Sequence, residues 1–246
     1  MKLLIASVSR SDFGILSTLI IKLKKKNFFK IKTLVTGEHY SKKMGNTFQE
    51  ILNKDIKIDI KIKLKEYPSY PLAVLKKSSD LIIKLSNYFK KNKSDLLIIL
   101  GDKYETFIIA YCAFINRIPI AHIHGGEKTI GSLDDTFRHQ ISKMANIHFA
   151  ERETYKKRLI QLGETPKNII VSGSLARESL NNHNFHKKRE IEKKFNFKFF
   201  DKNLVFTYHP ETTKKFDKKK INDIFSIIEK NPNIKFIITS PNLDIG

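Results

Sequence analysis

Apolar residues along the chain fall into two interleaved patterns, short continuous runs and longer stretches that repeat every three or four positions. Lys2–Val8 is a continuous run, Ile15–Lys26 repeats apolar side chains at Ile15, Leu16, Leu19, Ile20 and Leu23, and Ile31–Thr36 is apolar again. The three segments predict a βαβ unit with a right-handed crossover. Ile56–Leu64 alternates strictly between apolar and polar residues, as a half-exposed strand does, and a turn at Pro68 and Pro71 leads into an amphipathic helix over Leu72–Lys91. The series continues with strand Leu96–Leu100, helix Thr106–Asn116, strand Ile118–Ile123, helix Asp134–Ala145, strand His148–Ala150, helix Glu153–Leu162 and strand Asn168–Val171. Strands alternating with helices predict an α/β fold built on a doubly wound parallel sheet.

After Gly173 the texture changes. The segment Asn181–Lys202 is polar, rich in Asn, Lys and Phe, and reads as a connection. A second series then begins with strand Leu204–Thr207, helix Ile221–Glu229 and strand Ile234–Thr239. The expected organisation is an N-terminal Rossmann-like domain over 1–175, a connection over 176–202, and over 203–246 the start of a second Rossmann-like domain, incomplete in this chain.

Composition narrows the classes of function. With 41% hydrophobic residues in 246, the chain has material for real cores. Its formal charge of +21 suggests a polyanion partner, yet only seven of its 46 basic residues are arginine. Arginine is the better bidentate reader of phosphates and bases, whereas lysines spread over helix faces solvate a surface. No specific nucleic-acid binding is therefore expected. The lone Cys112 sits inside an apolar helical pattern, which fits a small buried hydrophobe in a reducing compartment. The apolar start at Met1–Val8 is too short for a signal peptide or a membrane span, so a cytoplasmic protein without membrane contact is expected.

Most of the plausible chemistry falls in two neighbouring segments, Ala121-His122-Ile123-His124-Gly125-Gly126-Glu127 and Asp134-Asp135-Thr136-Phe137-Arg138-His139. They lie around a loop after a strand, where open α/β sheets hold their ligands. The loops Ser9-Arg10-Ser11-Asp12-Phe13-Gly14, with donors at a helix N-terminus, and Gly101-Asp102-Lys103 follow other strands in the same way, as does Tyr208-His209-Pro210. His122 and His124, two apart on a strand, are expected on one face. With Glu127, Asp134, Asp135 or His139 they could ligate a metal for hydrolysis; without metal the same groups could move protons. Asp134 with Arg138, and Asp135 with His139, have helix-pairing spacing, and Ser132 with Asp135 has capping-box spacing.

In order along the chain, Ser9–Leu16, Thr36-Gly37-Glu38-His39, Met44–Thr47, Gly101–Glu105, His122–Glu127, Asp134–His139, Gln161–Glu164, Gly173-Ser174 and His209-Pro210 resemble the hydrolysing UDP-N-acetylglucosamine 2-epimerases of sialic-acid and related nonulosonic-acid biosynthesis. The resemblance implies a GT-B-like fold with nucleotide sugar between two Rossmann-like domains. It implies conversion of UDP-N-acetylglucosamine and water to N-acetylmannosamine and UDP, by elimination of UDP to a glycal and rehydration. Asp102, Asp134 and His209 match the family's acid–base positions, Glu127 matches the last glutamate of its His-Ile-Glu-Gly-Gly-Glu motif, and His124 stands where some relatives carry glutamate. Arg10 matches a nucleotide-contacting position, and Asp12, Gly14, Lys103, Asp135, Arg138, His139 and Ser240 are the further substrate-binding expectations. The family reading implies no metal and no cofactor; a UDP-sugar is the expected partner, in a homo-oligomer. Three alternatives stand beside it: the same chemistry on a UDP-2,4-diacetamido-trideoxyhexose, a metal-dependent hydrolase using His122 and His124, and a non-catalytic UDP-sugar-binding remnant.

Overall fold

The structure, a computed structural model, describes residues 1–67, 71–181, 184–209 and 218–239. Ser240, Pro210 and Pro68, named above, lie outside the described residues. Contacts divide the chain into two units, Met1–Ile130 with Asp134–Asn182, and Gly131–Leu133 with His183–Gly246.

In the first unit β1 (Lys2–Ser7), α1 (Arg10–Lys24), β2 (Lys30–Val35), α2 (Phe48–Leu52), β3 (Ile60–Lys61), α3 (Leu72–Lys91), β4 (Leu96–Leu100), α4 (Tyr104–Ile115), β5 (Ile120–Ile123), α5 (Leu133–Met144), β6 (Ile147–Ala150), α6 (Glu153–Gln161), β7 (Ile169–Val171) and α7 (Leu175–Asn181) follow one another. All seven strands are parallel, in the order β3-β2-β1-β4-β5-β6-β7. The order runs outward from β1 in one direction and from β4 in the other, so the topological switch point lies between β1 and β4. Ligands of open α/β sheets sit just beyond the carboxyl ends of such a pair.

Alternate strand residues feed two cores. On one face Leu4, Ala6, Val8, Leu97, Ile99 and Ile120 pack against α3, α4 and α5; on the other Leu3, Ile5, Ile98, Leu100, Ala121 and Ile123 pack against α1 and α2. The central strands are buried on both faces, which is why they read as continuous apolar runs. The alternating run Ile56–Leu64 buries Ile56, Ile58 and Ile62 as expected, but only Ile60–Lys61 is regular strand. Part of its ladder is made by a side chain, Asp59 Oδ2 accepting from the Thr33 N–H at 2.9 Å. The lysines left exposed along this edge, Lys57, Lys61 and Lys63, discourage further strand pairing.

The second unit takes in most of Asn181–Lys202, the segment expected as a connection. It contains α8 (Lys188–Phe195), closed by Asn196 in the left-handed region at φ 51°. The phenylalanines that follow are anchors: Phe197 and Phe199 meet edge-on at 4.8 Å, and Lys235 lies over the Phe200 ring at 5.0 Å. Lys235 belongs to β9 (Ile234–Ile238), which pairs in parallel with β8 (Lys202–Phe206) across the crossover helix α9 (Lys218–Glu229). A polar composition hid α8, because its apolar residues are too few to set a period, whereas β8, α9 and β9 stand close to where the second series was expected.

Candidate active site beside the switch point

The loop from β1 into α1 offers backbone donors at a helix N-terminus, and three of them are engaged by the chain itself. Asp12 Oδ2 accepts from the Val8 N–H, and Oδ1 accepts from those of Ser9 and Phe13, each at 2.8 Å. Asp12 is buried, so it caps α1 and fixes the loop. Arg10 stands exposed in the first turn of α1, with Nε 3.4 Å from Glu50. Gly14 has no heavy atom within 4 Å of where a Cβ would stand.

Behind this loop lies His39, fully buried, with Nε2 2.9 Å from Ser7 Oγ and Nδ1 2.9 Å from Thr47 Oγ1. Gly37, at φ 62°, is forced by its neighbours: a Cβ there would stand 2.7 Å from the Val8 carbonyl oxygen. This turn brings Glu38 to within 2.7 Å of Lys103 Nζ, in the loop after β4. The next acid, Glu105, is buried in the first turn of α4.

On the other side of β4 the two segments highlighted by sequence meet. Arg138, buried on α5, reaches with Nη2 to Asp102 Oδ2 and to Thr129 Oγ1 at 3.2 Å, and with Nη1 to Glu127 Oε2 at 3.0 Å. Glu127 Oε1 lies 3.3 Å from His124 Nδ1. Asp135 accepts from the Thr129 N–H at 2.6 Å and lies 3.6 Å from His139 Nε2, so it braces the β5–α5 loop. Asp134 is half-buried beside it in the first turn of α5. Four buried polar atoms here, His124 Nε2, Glu127 Oε1, Arg138 Nε and His139 Nδ1, have no hydrogen-bond partner in the structure. Buried polar atoms are seldom left unpaired, and their concentration in one place is what a ligand-binding or catalytic site looks like. Burial pushes the Glu127 carboxyl upward, against the pull of His124 and Arg138, which suits a group that must hold and release a proton.

The expectation that His122 and His124 lie on one strand is corrected. His124 follows the last residue of β5 and adopts φ 66°, which ends the strand alternation. His122 is fully buried, with Nε2 2.8 Å from the Gly101 carbonyl and Nδ1 3.1 Å from Ser142 Oγ. A carbonyl only accepts, so Nε2 carries the proton and Nδ1 accepts from the serine hydroxyl. No lone pair remains on His122 for a metal, and the hydrolase reading loses one of its two histidine ligands. His209 lies exposed beyond β8 in the second unit. Sequence reasoning passed over Thr129, Ser142 and Glu105. Ser142 had a signal, standing four residues after Arg138 on one helix face, and Glu105 had another as a lone acid entering an apolar helix.

These buried groups give the protein a pH signature. Burial holds His39 down to about 4 and His122 down to about 3, so below 6.5 the unfolded chain binds protons that the folded one refuses. Their contribution is complete above pH 6.5 and is lost as pH falls toward those values. Glu105 works in the opposite sense: burial pushes it up to about 7, so the folded chain keeps a proton that the unfolded chain releases, and stability drops between pH 4.5 and 7. Glu105→Gln should therefore gain about 1–3 kcal/mol above pH 7 and show a steeper rise in stability from pH 4.5 to 6.5. Urea unfolding of both proteins across pH 4–8 checks this, and parallel curves would count against it.

Comparison with known proteins finds relatives along the whole chain. Residues 21–246 match the family model described as UDP-N-acetylglucosamine 2-epimerase. The chain is 35% identical over 99% of its length to the hydrolysing GDP/UDP-N,N'-diacetylbacillosamine 2-epimerase of Campylobacter jejuni, and 32% identical over its whole length to the polysialic acid biosynthesis protein P7 of Escherichia coli. It spans 63% of the length of each. The crystal structure of the Neisseria meningitidis UDP-GlcNAc 2-epimerase bound to UDP-GlcNAc superposes with a TM-score of 0.81 at 24% identity, covering 99% of this chain and 66% of that one. The fold is thus the α/β, GT-B-like one of these epimerases, and the chain belongs to the UDP-N-acetylglucosamine 2-epimerase family.

Proposed function

We propose that the cluster around Arg138 is the proton-transfer centre of a hydrolysing UDP-sugar 2-epimerase. The observation that carries the reading is the convergence of Asp102 and Glu127 on one buried guanidinium, with His124 against Glu127 and unpaired polar atoms left among them. In the proposed reaction a base takes the proton from C2 as the C1–O bond to UDP breaks, leaving a C1–C2 double bond. Water then supplies hydroxyl to C1 and a proton to C2 on the opposite face, so that UDP-N-acetylglucosamine and water give N-acetylmannosamine and UDP. A weakly acidic carbon proton needs a positioned base, and the departing diphosphate needs compensating charge. Asp102, Glu127, His124 and Asp134 are the proton carriers in this reading, and His209 stays an acid–base expectation. Arg10 and Lys103 offer positive charge, and the open surface at Gly14 lets a ligand approach the backbone. Asp135 and His139 brace the loop, and Ser240 stays a nucleotide-contact expectation. The reading needs neither metal nor cofactor and includes a homo-oligomer; among the described residues no helix is long and apolar enough to cross a membrane.

The diacetylbacillosamine 2-epimerases of Campylobacter jejuni and Legionella pneumophila, at 35% and 27% identity, favour a second substrate, a UDP-2,4-diacetamido-trideoxyhexose, for the same chemistry. An NMR time course in D2O with each sugar and excess chelator tests the whole proposal. The expected result is release of UDP with a C2-deuterated 2-epimer from one sugar or both. Turnover that stops with chelator would return the metal hydrolase, and soluble folded protein that alters neither sugar would leave a binding remnant.

A further inference from the structure

We propose that His122 is a positioning residue, which sets the mutual placement of the three segments bearing the proposed proton carriers and acts through Gly101, Ser142 and Gly125. The inference rests on the reaction proposed above.

His122 sits in the middle of the sheet, in register with Ile99 of β4 on one side and His148 of β6 on the other. Its Nε2–H donates to the carbonyl of Gly101, the residue before Asp102. Its Nδ1 accepts from Ser142, one helical turn beyond Arg138 on α5. Gly125, between His124 and Glu127, closes on the same ring: a Cβ there would lie 3.1 Å from His122 Nδ1 and 3.1 Å from Ser142 Oγ. One imidazole therefore joins the residue that precedes Asp102, the helix that carries Arg138, and Gly125, which follows His124 and stands two residues before Glu127. Those side chains form a single cluster although up to 36 residues separate them, as they do Arg138 and Asp102. A ring with both nitrogens occupied by protein partners is not free to exchange protons with a substrate, so its influence is geometric. A misplacement of about 1 Å in such an arrangement can cost on the order of a hundredfold in rate.

Two substitutions separate the ring's bonds. In His122→Gln the side-chain amide reaches the position of Nε2 and keeps a donor for Gly101; in His122→Asn the shorter amide keeps only the contact with Ser142. We expect the asparagine variant to lose about fiftyfold or more in kcat with KM within about threefold of the parent, and the glutamine variant to recover at least about a tenth of the parent rate. Both should keep the limbs of the parent kcat–pH profile, because the titrating groups lie elsewhere. Unchanged kcat, a KM that rises as kcat falls, or loss of a pH limb in both variants would overturn the proposal. If the parent chain turns over neither UDP-sugar, the reaction fails while the inference is judged by amide exchange. Gly101–Asp102 and Gly125–Glu127 should then exchange together, at least about tenfold faster in the asparagine variant than in the glutamine one. Rates that do not differ between the variants, or that change in one segment alone, overturn it.

Discussion

Replacing Arg138 with methionine is expected to cost about 3 kcal/mol of stability and to abolish turnover of the UDP-sugar. The guanidinium is buried between Asp102 and Glu127, whose side chains are only 20% and 21% exposed. Methionine fills similar volume but removes the counter-charge that two neighbouring, largely buried carboxylates share. Removing one member of a buried ion pair costs about 3–5 kcal/mol, and the partial solvent access of both acids favours the lower end. The loss should depend on pH in a specific sense. The folded variant relieves its uncompensated charge by taking up a proton more readily than the unfolded chain, so the stability gap from the parent protein should narrow as pH falls from 7 to 5. Adding Asp102→Asn to Arg138→Met should recover part of the loss, because one of the two charges is gone. Urea denaturation of the three proteins at pH 5 and 7 gives the comparison; a gap that is constant with pH would mean that Arg138 contributes packing alone.

Gly126→Ala should be nearly as damaging, for steric reasons. Gly126 has φ 77°, and a Cβ there would collide with the Tyr155 carbonyl oxygen and come within 2.9 Å of Leu159 Cγ. The left-handed conformation alone costs an L-residue about 1–2 kcal/mol, and the collision with helix backbone cannot be relieved by a rotamer change. Arg158 donates from Nη1 to the Gly126 carbonyl, so a displaced turn loses that bond as well. A total near 3 kcal/mol corresponds to a fall in Tm on the order of 6–12 °C for a chain of this length. Gly14→Ala is the internal control. Gly14 is helical and has open space at its Cβ position, so alanine should leave Tm unchanged or raise it slightly. Equal falls in Tm at both positions would show that the tight approach of α6 to the turn has no energetic consequence.

Much of the architecture was legible because strand and helix periods are local properties. The helix over Leu72–Lys91 and the strand over Leu96–Leu100 have the bounds expected of them, since a long amphipathic stripe and a run of five apolar residues leave little choice. Where apolar residues were sparse the period failed, and α7 and α8 went unread. Among the candidate site residues, His124, Glu127 and Arg138 of the two segments are brought together with Asp102 of the loop after β4, whereas Arg10 lies apart with Glu50 and Asp12 turns inward as a cap. By itself the sequence determined the alternation of strands and helices where apolar residues are dense, and which loops follow those strand ends, because both follow from hydrophobic period. Tertiary structure alone decided that His122 is held in the core while His124 joins Glu127, since a left-handed residue breaks the alternation that would have paired the two histidines. It also decided that Arg138 spans Asp102 and Glu127, because a contact across 36 positions depends on which strands lie side by side, and no local pattern encodes that.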